Sequence, residues 1–379
     1  MQIKQFSGLK SLPPQYERFF KEQSQQYYFS GRHWFDTLAR TTLTPDTSAY
    51  FLAGENDNRE VLALMAGRQP AGQNGSFLSR RRIWGTSLAS LTNHETPLYS
   101  VAASPDLTNP SETLQDFAEA ICHQTGPWSL IDLGFLDPDG DTFKAMSSGF
   151  RSAGMVVRAY DYRSNWYEPT TGMSYADYVK SRSASVRKSL SNFGRKNRKL
   201  AKEHGITFDL ILDEGGLDAA IDAYKTIHEA SWKGVEQAPD FMAHFIRNAA
   251  RAGALRLLVI RVDSRPAALE LAIVSNGQAT MMKTAYDPAF GKYSVGSIAI
   301  MKMMEHLLDV DHVREIDFGN DDDPYKKSWV TKRRIRWGIT AFNPRSVTGC
   351  LNLSRDVAEG AARSGVRALR RGRARLKAA

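Results

Sequence analysis

Apolar positions along the 379-residue chain repeat with two periods, and the switches between them divide it into elements. SAYFLAGE (48–55) and EVLALMAGRQ (60–69) alternate as two strands of a hairpin, and TSLASLTN (86–93) and LYSVAAS (98–104) predict two more strands. PSETLQDFAEAICHQTG (110–126) predicts a helix, with Pro-Ser at its start and glycine past its end. PWSLIDLGFL (127–136), DTFKAMSSGFRSAG (141–154) and MVVRAYDYRSNWYE (155–168) follow as strand, helix and strand, which reads as a complete mixed α/β layer ending near Pro169.

The pattern then starts again. Residues 174–205 predict a long helix with a break expected at Gly194, and ITFDLIL (206–212) a strand. GLDAAIDAYKTIHEASWKG (216–234) and DFMAHFIRNAARAG (240–253) predict helices. RLLVIRV, AALELAIVS and ATMMKTAY form an antiparallel meander, with Asn276-Gly277 as a tight turn because both residues tolerate positive φ. A loop, DPAFGKYSVG, leads into the helix SIAIMKMMEHLLD, which aligns Ile298, Met301, Met304, Leu307 and Leu308 on one face. REIDFG (314–319) closes the series as a parallel return strand. The expected domains are residues 1–169 and 170–346, with a basic tail at 347–379.

Charge narrows the partners. Fifty Lys and Arg against 41 Asp and Glu give +9, which favours an anionic partner such as a phosphate-bearing cofactor, nucleic acid or acidic lipid. The two cysteines, Cys122 and Cys350, lie far apart and make neither a disulfide framework nor a zinc spacing, so a reducing cytoplasm is expected and no metal. His94, His123, His228, His244, His306 and His312 are scattered without ligand spacing. No run reaches the roughly 18 apolar residues that a membrane-spanning helix needs. No Gly-x-Ser-x-Gly or Cys/His arrangement offers a nucleophile.

Three segments carry candidate chemistry. Ser294-Val295-Gly296-Ser297 opens a helix, where free amides and the helix dipole favour phosphate; the alternative is an ordinary cap with a loop glycine. Residues 179–202, VKSRSASVRKSLSNFGRKNRKLAK, hold nine cations and no acid, which suits tRNA, an anionic membrane surface or a cofactor's phosphates, or else a solvated helix face. Residues 315–329, EIDFGNDDDPYKKSW, set a strand end against an acidic run and Pro-Tyr-Lys; the alternative is a turn whose acids Lys326 and Lys327 balance. The tail, with Val357, Ala361, Val366 and Leu369 as a weak apolar stripe, reads as a peripheral basic helix or a disordered end.

The order strand, Asn-Gly turn, strand, loop, helix, strand, together with the small-residue loop at Ser294–Ser297, the Asp317-Phe318-Gly319 strand end and Pro324-Tyr325-Lys326, resembles the GNAT acyltransferase superfamily. Within it the match is to the CelD-type branch, associated with cellulose and exopolysaccharide and related to the Fem-type aminoacyltransferases. It covers roughly residues 175–345, and the first part resembles a degenerate copy of the same fold. The resemblance implies two tandem GNAT-like α/β domains with mixed sheets, the second catalytic, and an enzyme that transfers an acyl group, acetyl by preference, from acyl-CoA to an amine or hydroxyl of a sugar or other polar acceptor by direct attack. It implies that ATMMKTAY and REIDF splay to admit the pantetheine arm, and that Ser294, Val295, Gly296 and Ser297 hold the pyrophosphate. It gives Asp317 the part of proton acceptor or of holding the amine in place, Tyr325 that of acid to the leaving thiolate or of bonding the developing oxyanion, and Lys326 that of counter-charge to phosphate or oxyanion. Trp232, Tyr286, Asp321 and Asp322 would line the acceptor site, with the acids from Asp321 to Asp323 drawing a cationic amine. If Lys326 met Tyr325 it would lower the phenol pKa. The alternatives are an aminoacyl-tRNA donor, which the basic helix favours, and an inactive GNAT-like binding module in polysaccharide assembly. The expected location is cytoplasmic, with peripheral attachment at the inner membrane face as the alternative.

Overall fold

A computed structural model describes residues 1–70, 85–231 and 238–361. In chain order the elements are β1 (Gln2–Phe6), α1 (Tyr16–Gln26), α2 (Arg32–Thr41), β2 (Thr47–Glu55), β3 (Val61–Pro70), β4 (Ser87–Ser90), β5 (Ala102–Ala103), α3 (Pro110–Gln124), β6 (Leu130–Leu136), α4 (Asp141–Ser152) and β7 (Val156–Pro169). Then come α5 (Tyr175–Ser181), α6 (Ala184–Glu203), β8 (Ile206–Ile211), α7 (Leu217–Ala230), α8 (Pro239–Arg251), β9 (Leu255–Val262), β10 (Arg265–Ser275), β11 (Gln278–Tyr286), α9 (Val295–Asp309), β12 (Glu315–Asn320) and β13 (Lys332–Phe342). A further helix covers residues 347–361, held by an Arg158–Asp356 ion pair at 2.6 Å. That part of the tail is therefore ordered, while residues 362–379 lie outside the described ones.

One topology occurs twice. In the first half β2, β3 and β4 form an antiparallel meander, α3 crosses, and β6 returns parallel to β4. In the second, β9, β10 and β11 form the meander, α9 crosses, and β12 returns parallel to β11. The last strands are exchanged. β7 leaves the first half to pair with β12, and β13 leaves the second to pair with β6, while β7 and β13 pair with each other. The result is one sheet ordered β1-β2-β3-β4-β6-β13-β7-β12-β11-β10-β9-β8, running across Pro169 without a break. The layer expected to end near Pro169 is thus completed by a strand more than 160 residues later in sequence.

Local chemistry accounts for the element ends. Asn109 caps α3 by accepting from the Glu112 amide at 3.2 Å, with Pro110 in the first turn. Asn276 and Gly277, at φ 45° and 69°, make the turn between β10 and β11. The helix break falls at Arg182–Ser183 rather than at Gly194: Ser183 caps α6, while Arg182 is extended and its buried guanidinium pairs with Glu168. Gly194 sits inside α6, where propensity alone costs only about 1 kcal/mol.

Alternate residues of β9 face two cores, Leu255, Leu257 and Val259 one and Leu258, Ile260 and Val262 the other. The first core packs α1 to α4, α7 and α8; the second packs α5, α6 and α9. The halves also meet where Trp34 of α2 packs edge-on against Phe241 and Phe245 of α8, and Asn248 donates to the His33 carbonyl at 3.1 Å. Between β4 and β6 pairing lasts three residues, and the chain fills the space beyond it: the Tyr99 amide donates to the Phe135 carbonyl and its hydroxyl to the Ala66 carbonyl.

Candidate active site

The corresponding place in the second half is open. β11 and β12 pair only at Gln278–Glu315, Ala279–Ile316 and Thr280–Asp317. Beyond that β11 stays with β10, and β12 turns towards β7, which it meets again at Asn320–Asn165. The β10–β11 register jumps between Leu271–Lys283 and Ala272–Met281, so Met282 is an extra residue, a bulge that bends the strand and releases its own backbone groups. A cavity of about 200 Å³ lies in the split. Met281 to Thr284 form one wall, Phe318 to Asp321 with Asp323, Tyr325 and Lys326 another, and His94, Glu95 and Pro97 of the first half the third.

Tyr325 sits in a short 3-10 turn behind Pro324 and lines this cavity. Although the residue as a whole is 44% exposed, exclusion of water around its hydroxyl, then the charges of Glu270 and Asp323, push its pKa well up, against a hydrogen bond shared with Thr284. Thr284 in turn donates to the fully buried Glu270 at 2.6 Å. The phenol therefore keeps its proton at neutral pH. The expectation that Lys326 would lower this pKa is not met, because the ammonium is turned elsewhere: it donates to the Asn320 and Asp321 carbonyls and pairs with Asp323 at 3.1 Å. Lys326 is a buried clamp on the acidic turn.

Asp317 does not line the cavity. It is fully buried, and its oxygens accept from Asn165 Nδ2 at 2.7 Å, the Gly319 amide at 2.6 Å, Arg334 Nη2 at 2.8 Å and Arg336 Nη2 at 3.4 Å. The acidic run is matched locally as well. Asp321 pairs with Arg163 at 2.6 Å, and Asp322 accepts from Trp166 Nε1 at 2.8 Å. Lys327, expected as a counter-charge, instead lies 5.5 Å from the Trp166 ring centre.

Ser294, Val295, Gly296 and Ser297 are brought together as predicted at the start of α9, which no side chain caps. Ser294 is left-handed at φ 59°, and Lys196 of α6 donates to its hydroxyl at 2.8 Å. A cation beside free helix amides suits an anion. Gly296 has a second reason to be glycine: a Cβ there would lie 2.7 Å from Cδ1 of Tyr286. Trp232 lies outside the described residues.

The sequence reading missed the first-half contribution. Lys283 donates to Glu95, and His94 Nε2 lies 2.9 Å from the same carboxylate. Burial raises the Glu95 pKa, but the His94 hydrogen bond and the Lys283 charge outweigh it and bring it to about 2. Asn320 Nδ2 donates to the Thr96 carbonyl at 2.6 Å, tying the acidic turn to the same segment.

Residues 186–327 match the family model described as an acetyltransferase (GNAT) domain. The fold is GNAT-like. Among solved structures, FemX aligns with a TM-score of 0.54 at 11% identity, covering 88% of this chain and 96% of that one. A conserved protein of unknown function from Bacteroides thetaiotaomicron aligns at 0.53 and 8%, covering 90% and 100%. The C-terminal DUF2156 domain of a protein described as a lysylphosphatidylglycerol synthetase, from Agrobacterium fabrum, aligns at 0.50 and 13%, covering 89% and 96%. No curated protein matches the chain. Both GNAT-like halves belong to a mixed α/β fold, and among the described residues no helix is long and apolar enough to cross a membrane.

Proposed function

We propose that the chain transfers an acyl group, acetyl by preference, from acyl-CoA to an amine or hydroxyl of a sugar or other polar acceptor, as in exopolysaccharide synthesis. The observation that carries this reading is the parting of β11 and β12 after three residue pairs, with the Met282 bulge at the edge of the gap. A pantetheine arm can pair there like an added strand, while the pyrophosphate meets the α9 amides and Lys196. The acceptor attacks the thioester carbonyl carbon directly; the new C–N or C–O bond forms as the C–S bond breaks. Tyr325 gives its proton to the leaving sulfur. The acceptor's proton goes to His94, whose Nε2 faces Glu95 and whose Nδ1 is left as the accepting atom. Asp317, enclosed by arginines, positions the strand end instead of accepting a proton.

Thermal shift with acetyl-CoA, longer acyl-CoAs, CoA and a charged tRNA tests the reading. A donor at 100 times its Kd should stabilise the chain by about 2.7 kcal/mol. Stabilisation by acetyl-CoA is expected; no response to any CoA species would overturn it. The tRNA arm serves the second reading, an aminoacyl-tRNA donor, which the exposed Arg187, Lys188, Arg195, Arg198, Lys199 and Lys202 of α6 favour.

A further inference from the structure

A second cavity, of about 410 Å³, shares His94 with the one in the strand split. The split cavity is smaller than the roughly 300–1,000 Å³ of ordinary ligand pockets, whereas this one falls within that range. The charges of the two differ. The split carries Glu95, Asp321 and Asp323 beside its lysines. The larger cavity carries Arg68 and Arg163, with Tyr162, Asn93 and the threonine hydroxyls of the α2 end, and no carboxylate among its described lining residues. Arg68 is 4% exposed, and it lines this cavity together with Arg163, whose guanidinium carbon lies 6.0 Å from the Tyr162 ring centre. Asp321, the ion-pair partner of Arg163, stands outside the lining, as does Asp132, whose charge acts on Arg68.

We propose that this cavity holds the phosphate group of a small phosphate-bearing acceptor, bound by Arg68 and Arg163, with the acceptor's amine or hydroxyl reaching past His94 into the split. The proposal rests on the acyl-transfer reading for the direction in which the ligand points, but not for the anion site itself. A planar guanidinium presents several donors in a fork that matches phosphate, and Arg163 can serve the ligand while Nη1 stays on Asp321. The acidic turn would then organise the cationic anchor and not attract a cationic substrate.

Calorimetric titration of the full chain with glucosamine 6-phosphate, glucosamine, aspartate and inorganic phosphate, with and without acetyl-CoA, tests this. Glucosamine 6-phosphate should bind, inorganic phosphate should compete with it, and glucosamine should bind at least tenfold more weakly. Arg163→Gln, at a half-buried position, and Arg68→Gln should each weaken glucosamine 6-phosphate at least tenfold while acetyl-CoA binds as in the parent. Equal binding of glucosamine or aspartate, no competition by phosphate, or an Arg163→Gln variant within twofold of the parent would overturn the site. Acetyl-CoA binding without glucosamine 6-phosphate binding sinks this proposal alone; the reverse result leaves it standing and sinks the acyl-CoA reading.

Discussion

Lys283, next to the bulge in β11, donates to Glu95 of the first half, so the wall of the split is closed by an ion pair across the two halves. Both side chains are mostly buried, at 17% and 13% exposure. Lys283→Met leaves the Glu95 carboxylate with His94 as its remaining side-chain partner and should cost about 1–3 kcal/mol. The pH dependence has a definite sign. The Glu95 pKa falls from its ordinary value to about 2 on folding, so its contribution is present above about pH 4.5 and is lost as the pH drops towards 2. Melting temperatures from pH 7 to pH 2 should show a shallower acid limb for Glu95→Gln than for the parent; superimposable limbs would remove Glu95 from this role.

Tyr325→Phe deletes only the hydroxyl. With an accepted substrate in hand, kcat should fall about 10²–10⁴-fold while the Kd for acetyl-CoA is unchanged. Because burial raises the phenol's pKa, no loss of rate from its ionisation is expected up to pH 10. Near-parental turnover would end the assignment.

Gly296→Ala should force Tyr286 aside and destabilise by about 1–3 kcal/mol. A Gly296→Ala/Tyr286→Leu double variant separates packing from ligand approach. Restored stability with acetyl-CoA still weakened places the pyrophosphate at these amides; restored affinity as well would mean that the glycine serves Tyr286 alone.

Lys196 touches Ser294 at the start of α9, whereas Lys188 and Arg198 are exposed on α6. Lys196→Met should weaken acetyl-CoA about tenfold, the scale of one hydrogen bond from a charged group. Lys188→Gln/Arg198→Gln should leave acetyl-CoA binding alone and flatten the salt dependence of any tRNA or anionic-vesicle binding. Equal effects of both changes on acetyl-CoA would argue for a diffuse field over a local site.

Exchange of β7 and β13 makes the two halves one cooperative unit. Urea unfolding followed by tryptophan fluorescence and by far-ultraviolet circular dichroism should give coincident transitions. Two resolved steps would show that the halves unfold separately despite the shared sheet.

The second half was largely legible because its strands and α9 bury apolar residues at regular spacing, and Asn276-Gly277 marks the turn. β13 was not. Its inward positions include Arg334 and Arg336, which reach Asp317, so a buried strand reads as a polar run. α1 and α2 went unread although Phe19, Phe20, Trp34 and Leu38 are buried. Of the candidate site, Tyr325 and the Ser294–Ser297 loop are marked by local motifs. His94, Glu95 and Lys283 could not, since only the docking of the halves brings them together. Asp317 is the opposite case: the motif marks the residue, but the arginine partners that enclose it lie on a strand that the pattern hides.

The exchange also sets a timetable for the growing chain. β6 and β7 are finished early, yet the strand that fits between them, β13, comes roughly 160 residues later. At about 5–20 residues per second of synthesis, that is on the order of 10–30 s during which two hydrogen-bonding edges lie open side by side. Open edges recruit whatever strand is near. On a crowded polysome the nearest such strand can belong to a neighbouring nascent copy; the arginines of β13 tell it from that copy's other strands, but not from that copy's own β13, which is the route to an exchanged pair.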